Sequence, residues 1–228
     1  MSHYAMVVFS NDPDDRAFDN LLYPYGEESN DYIEFHPLSD EGLEKKKLAF
    51  KNAPYNDFES FMKDCGYKNV NGVWGSPYND NARWDWYTLD GREFLFNEKA
   101  GEKSDERAGG RFRKSQIDFS KYGDEADAMS VKSAKREWNK IMKSDDEEYK
   151  KYFINRYQSI DKYVKEMITP CPYCFITPDG KCHAPGFVGW FATDNSTSES
   201  MDKYIDEWLA YINSEDDDPY VSIVDCHI

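Results

Sequence analysis

No stretch of this 228-residue chain is apolar over enough residues to cross a bilayer. No basic start precedes an apolar run: Met1-Ser2-His3-Tyr4-Ala5 leads directly into a strand-like segment, so no signal peptide is expected. Cysteines are few and odd in number, five, which without an export signal points to reduced thiols rather than a disulfide framework. A cytoplasmic location is expected. Positive charge is scarce as well: 28 Lys and Arg stand against 44 Asp and Glu, a net charge of −16. Such a surface repels nucleic acid and anionic lipid and attracts basic proteins. The expected partner is therefore a protein with a basic surface, with no membrane and no direct nucleic-acid binding. His-Glu-x-x-His, Gly-x-Ser-x-Gly, Walker, dinucleotide and EF-hand signatures are all missing, and no cofactor is expected.

What the chain does have is a core. Apolar residues make up 39% and aromatics 16%, and large rings supply much burial per residue despite a charged fraction of 32%. Tyr4 to Phe9 is a near-continuous apolar run, the pattern of a strand covered on both faces. Tyr220 to Ile228 reads as a second such strand, and the two are expected to pair in one sheet. Helices are expected near 40–50 and 56–65. Ala82–Tyr87 and Glu93–Phe96 read as a hairpin around Asp90-Gly91, and Arg113–Phe119 as a further strand. Ala134, Trp138, Ile141 and Met142 form one helical stripe. Ser144-Asp145-Asp146-Glu147 fits a capping box, opening a helix whose apolar face runs Tyr149, Phe153, Tyr157, Ile160, Val164 and Met167. Tyr173–Thr177 and Phe187–Ala192 suggest another hairpin. Ser196-Thr197-Ser198-Glu199 starts a helix with the stripe Met201, Tyr204, Ile205, Trp208, Leu209 and Ile212. The expected fold is one α+β domain over residues 1–228, a single mixed or antiparallel sheet with helices mainly on one face, including a helical hairpin.

Several residues could carry chemistry. Cys171, Cys174, Cys182 and His183 have a loose zinc-like spacing, but Cys182 and His183 are adjacent, so structural thiols are the expectation and no metal site is assigned. Cysteine–histidine dyads would need Cys226 with His183, or His227 with Cys174 or Cys182. Trp84 and Trp86 would share one face of a strand, with Asp85 on the other, as either a stacking platform or core. Arg92 and Arg111 each follow glycine in a turn and could hold an anion. Two acidic runs, Asp145-Asp146-Glu147-Glu148 and Glu215-Asp216-Asp217-Asp218, are candidates for an acidic binding surface.

Ser2-His3-Tyr4-Ala5, Asn81-Ala82-Arg83-Trp84-Asp85-Trp86-Tyr87, Ile176-Thr177-Pro178-Asp179-Gly180, Gly189-Trp190-Phe191 and Val224-Asp225-Cys226-His227-Ile228 together resemble a family of uncharacterised bacteriophage and prophage proteins. That family shows Trp-Asp-Trp-Tyr followed by Gly-Gly-Arg-Trp, and a terminal Asp-Cys-His-Ile. Here Asp90 stands for the first glycine and Glu93 for the tryptophan. The resemblance implies a phage accessory gene and brings no activity with it. Two functions follow as expectations. One is an acidic protein that binds and inhibits a host protein, of the anti-defence or anti-CRISPR type. The other is an enzyme or a small-ligand or nucleotide binder using His3, Trp84, Asp85, Trp86, Arg92, His183, Asp225 and His227.

Overall fold

A computed structural model describes residues 3–90, 97–98, 111–119, 130–186, 188–189 and 193–227. The chain opens with β1 (His3–Ser10) and α1 (Asp15–Leu22), then β2 (Glu34–Pro37), α2 (Asp40–Phe50), α3 (Phe58–Asp64), β3 (Lys68–Val70) and β4 (Val73–Tyr78). It continues through β5 (Trp86–Thr88), β6 (Asn97–Glu98), β7 (Phe112–Arg113) and β8 (Ile117–Asp118). The helices α4 (Val131–Met142), α5 (Glu147–Tyr157) and α6 (Ile160–Ile168) follow. Last come β9 (Cys174–Ile176), β10 (Cys182–His183), β11 (Val188–Gly189), β12 (Thr193–Asp194), α7 (Ser198–Asn213) and β13 (Tyr220–His227). The fold is α+β. Its contacts divide into two compact units, 1–22 with 86–228, and 23–85.

In the first unit the strand order is β10-β9-β1-β13-β5, with β7 also on β13. The two apolar runs pair as expected, in antiparallel register from His3 opposite His227 to Ser10 opposite Tyr220, while β9 joins β1 in parallel. β1 is thus central, and Met6 to Phe9 have no solvent exposure. Burying each such side chain stabilises the fold by roughly 1.5–3 kcal/mol. The pleat sends Val7, Phe9, Phe175, Val221 and Ile223 to one face, where they meet Tyr204 and Trp208 of α7. Tyr4, Met6 and Val8 point to the other face with Cys226 and Tyr87, and there Tyr87 donates its hydroxyl to Asp19 of α1 at 2.7 Å.

Four differences from the sequence reading have local causes. The strands do not form a single sheet: among the described residues they also make a three-stranded sheet β2-β4-β3 and the pairs β6-β8 and β11-β12. The second arm of the expected helical hairpin is two helices. Gln158 takes φ +62°, outside the helical region, and Ser159 then caps α6 by accepting the Lys162 amide. The resulting three helices share a cluster of Ala134, Ile141, Phe153, Tyr163 and Val164, and α6 packs against α7. β9 pairs with β10 across the Pro178-Asp179-Gly180 turn, and Val188–Gly189 pairs instead with β12; 187 and 190–192 lie outside the described residues. Capping shifts by one or two residues: Asp146 caps α5, and Thr197 caps α7 in a reciprocal box with Ser200. Residues 91–96, the second arm of the hairpin expected at Asp90-Gly91, lie outside the described residues.

The second unit holds α2, α3 and the sheet β2-β4-β3. Asn71 and Gly72 have φ of 51° and 87°, the two-residue turn that closes the β3–β4 hairpin. Gly75 lets β4 approach β2 closely, since a Cβ there would lie 2.4 Å from the His36 carbonyl oxygen. Phe50 and Trp74 each meet Phe58 of α3 edge to face, and Phe50 lies tilted against Phe61.

Candidate functional site

The acidic turn between α7 and β13 borders a groove of about 770 Å³ in the first unit. Its apolar lining includes Ile117 and Phe119, with Leu209 and Ile212 of α7. Glu215 and Asp217 stand exposed at its edge, and Asp118 also lines it. The other two residues of this acidic run are committed locally. Asp218 accepts from the Ser115 amide and hydroxyl at 2.8 and 3.0 Å, and Asp216 accepts from Ser214 at 3.1 Å. One cation of the chain itself already lines the groove. Lys114, 5% exposed, donates Nζ to the carbonyls of Ser214 and Tyr211 at 2.8 and 3.2 Å, at the C-terminal end of α7. The partial negative charge of a helix C-terminus favours such a cation. Burial pushes the neighbouring Tyr211 hydroxyl well above its usual value, with Asp217 adding to the effect.

The second acidic run serves a different purpose. Asp146 accepts the Tyr149 amide at the start of α5, and Glu147 pairs with Lys150 one turn on. Negative charge at a helix N-terminus is locally stabilising.

Four residues of the sequence blocks, Trp86, Asp225, His227 and His3, gather at one end of the six-stranded sheet. Trp86, His227 and His3 lie in one row across β5, β13 and β1. The Trp86 indole stacks on the His227 ring at 4.8 Å and 19°, and His3 meets His227 edge-on at 4.9 Å. His3 Nδ1 lies 3.2 Å from an Asp225 carboxylate oxygen, which can accept its proton. His227 is 2% exposed and Trp86 47%. The exposed indole, backed by imidazole, offers a flat face to a planar group, with the His3–Asp225 pair beside it.

The remaining flagged residues sit elsewhere. Trp84 and Trp86 do not form a shared platform, because β5 begins only at Trp86. Trp84 is 1% exposed in the second unit, beside Tyr25, where it bridges to Gly26. Asp85 is exposed there, and its charge helps raise the Glu27 pKa, behind the larger effect of burial. Arg92 lies outside the described residues. Arg111 is buried over the Phe18 ring, with its guanidinium bound to Asp15, Asp90 and the Pro13 carbonyl. Its donors thus serve the fold.

Strand alternation rules out each cysteine–histidine dyad. His183 and His227 point to the α7 face, whereas Cys174, Cys182 and Cys226 point to the α1 face. His183 instead stacks on Phe175 at 4.5 Å and binds Glu207 of α7 at 3.0 Å, holding that carboxyl below its usual range. The same alternation scatters the zinc-like set, and Cys171 packs against the α7-face core. Burial, with the Glu166 charge, pushes the Cys171 thiol up to about 12.

No family model, curated protein or solved structure matches this chain.

Proposed function

We propose that this chain is a phage-encoded accessory protein that binds a basic segment of a host protein in the groove beside α7, inhibiting it in the manner of an anti-defence factor. The observation that supports this reading is the pairing of an apolar lining with exposed carboxylates from the Glu215–Asp218 turn. A lysine or arginine of the partner lays its methylene stem on Ile117, Leu209 and Ile212 and sets its charge against Glu215 and Asp217. The arrangement of Lys114 beneath the end of α7 is an internal precedent for holding a cation there. The net charge of −16 adds long-range attraction to a basic surface, and the phage assignment rests on the sequence blocks. Action in the host cytoplasm follows from that assignment.

The test is binding of a labelled peptide of alternating Leu and Arg, followed by fluorescence anisotropy. Combined Glu215→Lys and Asp217→Lys should weaken binding by about 10-fold, mainly through slower association, and added salt should weaken it further. Reversing Asp145 and Glu148, which border the α5 cap, should weaken it far less than the groove variant does. Equal affinity for the wild type and the groove variant, with no salt dependence, rejects the proposal.

A second reading rests on the row of Trp86, His227 and His3 with Asp225, which suits a small planar ligand. Under that reading Trp86→Ala and His3→Ala abolish function while the groove variant keeps it.

A further inference from the structure

The second unit carries a set of side chains that the sequence reading did not single out. β2 and β4 pair antiparallel with Glu34 opposite Tyr78 and His36 opposite Ser76. Two residues apart on one strand, Glu34 and His36 project from the same face. β4 ends at Tyr78, and the next residue fixes the turn that follows. Asn79, 2% exposed, donates its amide to the carbonyls of Pro24 and Gly26 at 2.9 Å each and accepts the Asn81 amide. That anchored turn sets Asp80 beside His36. The imidazole is also held in orientation, stacked on Tyr78 at 3.7 Å and 20°.

The contact between His36 and Asp80 has the wrong geometry for a hydrogen bond. Nε2 stands 3.4 Å from Asp80 Oδ1, beyond the usual 2.7–3.2 Å, and it is closed to solvent without a hydrogen-bond partner. A separation of 3.4 Å does suit two ligands of one tetrahedral ion, whose edge is about 3.4 Å when the bonds are about 2.1 Å. A Glu34 carboxylate oxygen completes the set, all three ligand atoms lying within 4.8 Å of one another. Glu34 is exposed, which leaves its carboxylate room to turn toward the other two.

We infer that Glu34, His36 and Asp80 form a three-ligand site for a divalent transition-metal ion of the zinc class, with the fourth position left to water. One imidazole selects against magnesium and calcium, which take oxygen ligands, and two carboxylates select against soft ions that need thiolate. Three protein ligands with an open position are also the arrangement in which zinc polarises a bound water or a ligand oxygen. The inference is independent of the groove beside α7, which belongs to the other unit.

The full chain, stripped of metal with a chelator and dialysed, is titrated with Zn²⁺ by calorimetry and with Co²⁺ by visible absorption. One equivalent should bind, excess Mg²⁺ should not displace it, and the Co²⁺ spectrum should show nitrogen and oxygen ligation without a thiolate charge-transfer band. Removing a ligand should weaken binding at least as much as outer-sphere changes do, about 100-fold in His36→Gln and in Asp80→Asn. Circular dichroism confirms that these variants of partly exposed residues remain folded. Cys182→Ser should bind as the wild type does. No binding by the wild type, binding undiminished in His36→Gln, or a thiolate band lost in Cys182→Ser would each overturn the inference.

Discussion

Trp208→Ala tests the packing that joins α7 to the sheet. The indole has no solvent exposure. It lies 5.3 Å from Phe175, 6.3 Å from Phe9 and 5.4 Å from Phe119, the last at 88°. Its Nε1 donates to the Pro170 carbonyl at 2.9 Å, tying α7 to the segment that enters β9. Truncating a buried tryptophan costs about 3–5 kcal/mol, from lost transfer energy and the cavity left behind. The three ring contacts and the orphaned carbonyl place this site at the upper end, about 5 kcal/mol. Stabilities run about 5–15 kcal/mol, so the change removes a large share of the total. At about 2–4 °C per kcal/mol for a chain of this size, the melting temperature should fall by about 10–20 °C. Trp208→Phe keeps most of the ring contacts and loses the donor, and should cost about 1–3 kcal/mol. Urea unfolding followed by circular dichroism reads both, and if the two units unfold separately only the transition of the unit holding α7 moves. An alanine variant within 1 kcal/mol of wild type would refute the account of α7 as the cover of this face.

Two further outcomes follow from the thiols and from Glu207. Brief iodoacetamide treatment of the native protein should modify the exposed Cys65 first, and the buried Cys174 and Cys226 last. Burial raises the Cys226 thiol and pushes Cys171 up to about 12, so both are thiols rather than thiolates at neutral pH. Peptide mass spectrometry showing Cys226 labelled as fast as Cys65 would contradict the buried strand. The hydrogen bond from His183 holds the Glu207 pKa below 4.5, so its contribution is present above that value and is lost as pH falls through the lower, folded-state value. Glu207→Gln should therefore flatten the acid side of the stability profile below about pH 4.5. Parallel profiles for the variant and the wild type below that pH would show that the pair does not couple to folding.

The sequence by itself determined the elements whose pattern is local. The uninterrupted apolar run of Tyr4–Phe9 demanded cover on both faces, and only a central strand supplies it. The stripe Tyr204, Ile205, Trp208 marked the buried side of α7, and Ala134 with Ile141 that of α4, because the helical period is written in residue spacing. The break at Gln158 left no such mark, since a polar residue with no helix-breaking side chain occupies it. Grouping of the polar residues was decided only by the tertiary structure. Alternation separates His183 from Cys174, Cys182 and Cys226, although His183 adjoins Cys182 in sequence. β5 starts at Trp86, which divides two tryptophans that a longer strand would have placed side by side. Glu34-Phe35-His36 does carry a readable signal, two ligand types on one face of a strand. Asp80 stands 44 residues beyond His36, brought back only by the β2–β4 pairing and the turn that Asn79 anchors. Spacing fixes which side of an element a residue occupies, while pairing register fixes which residues meet, and register depends on contacts between segments distant in the chain.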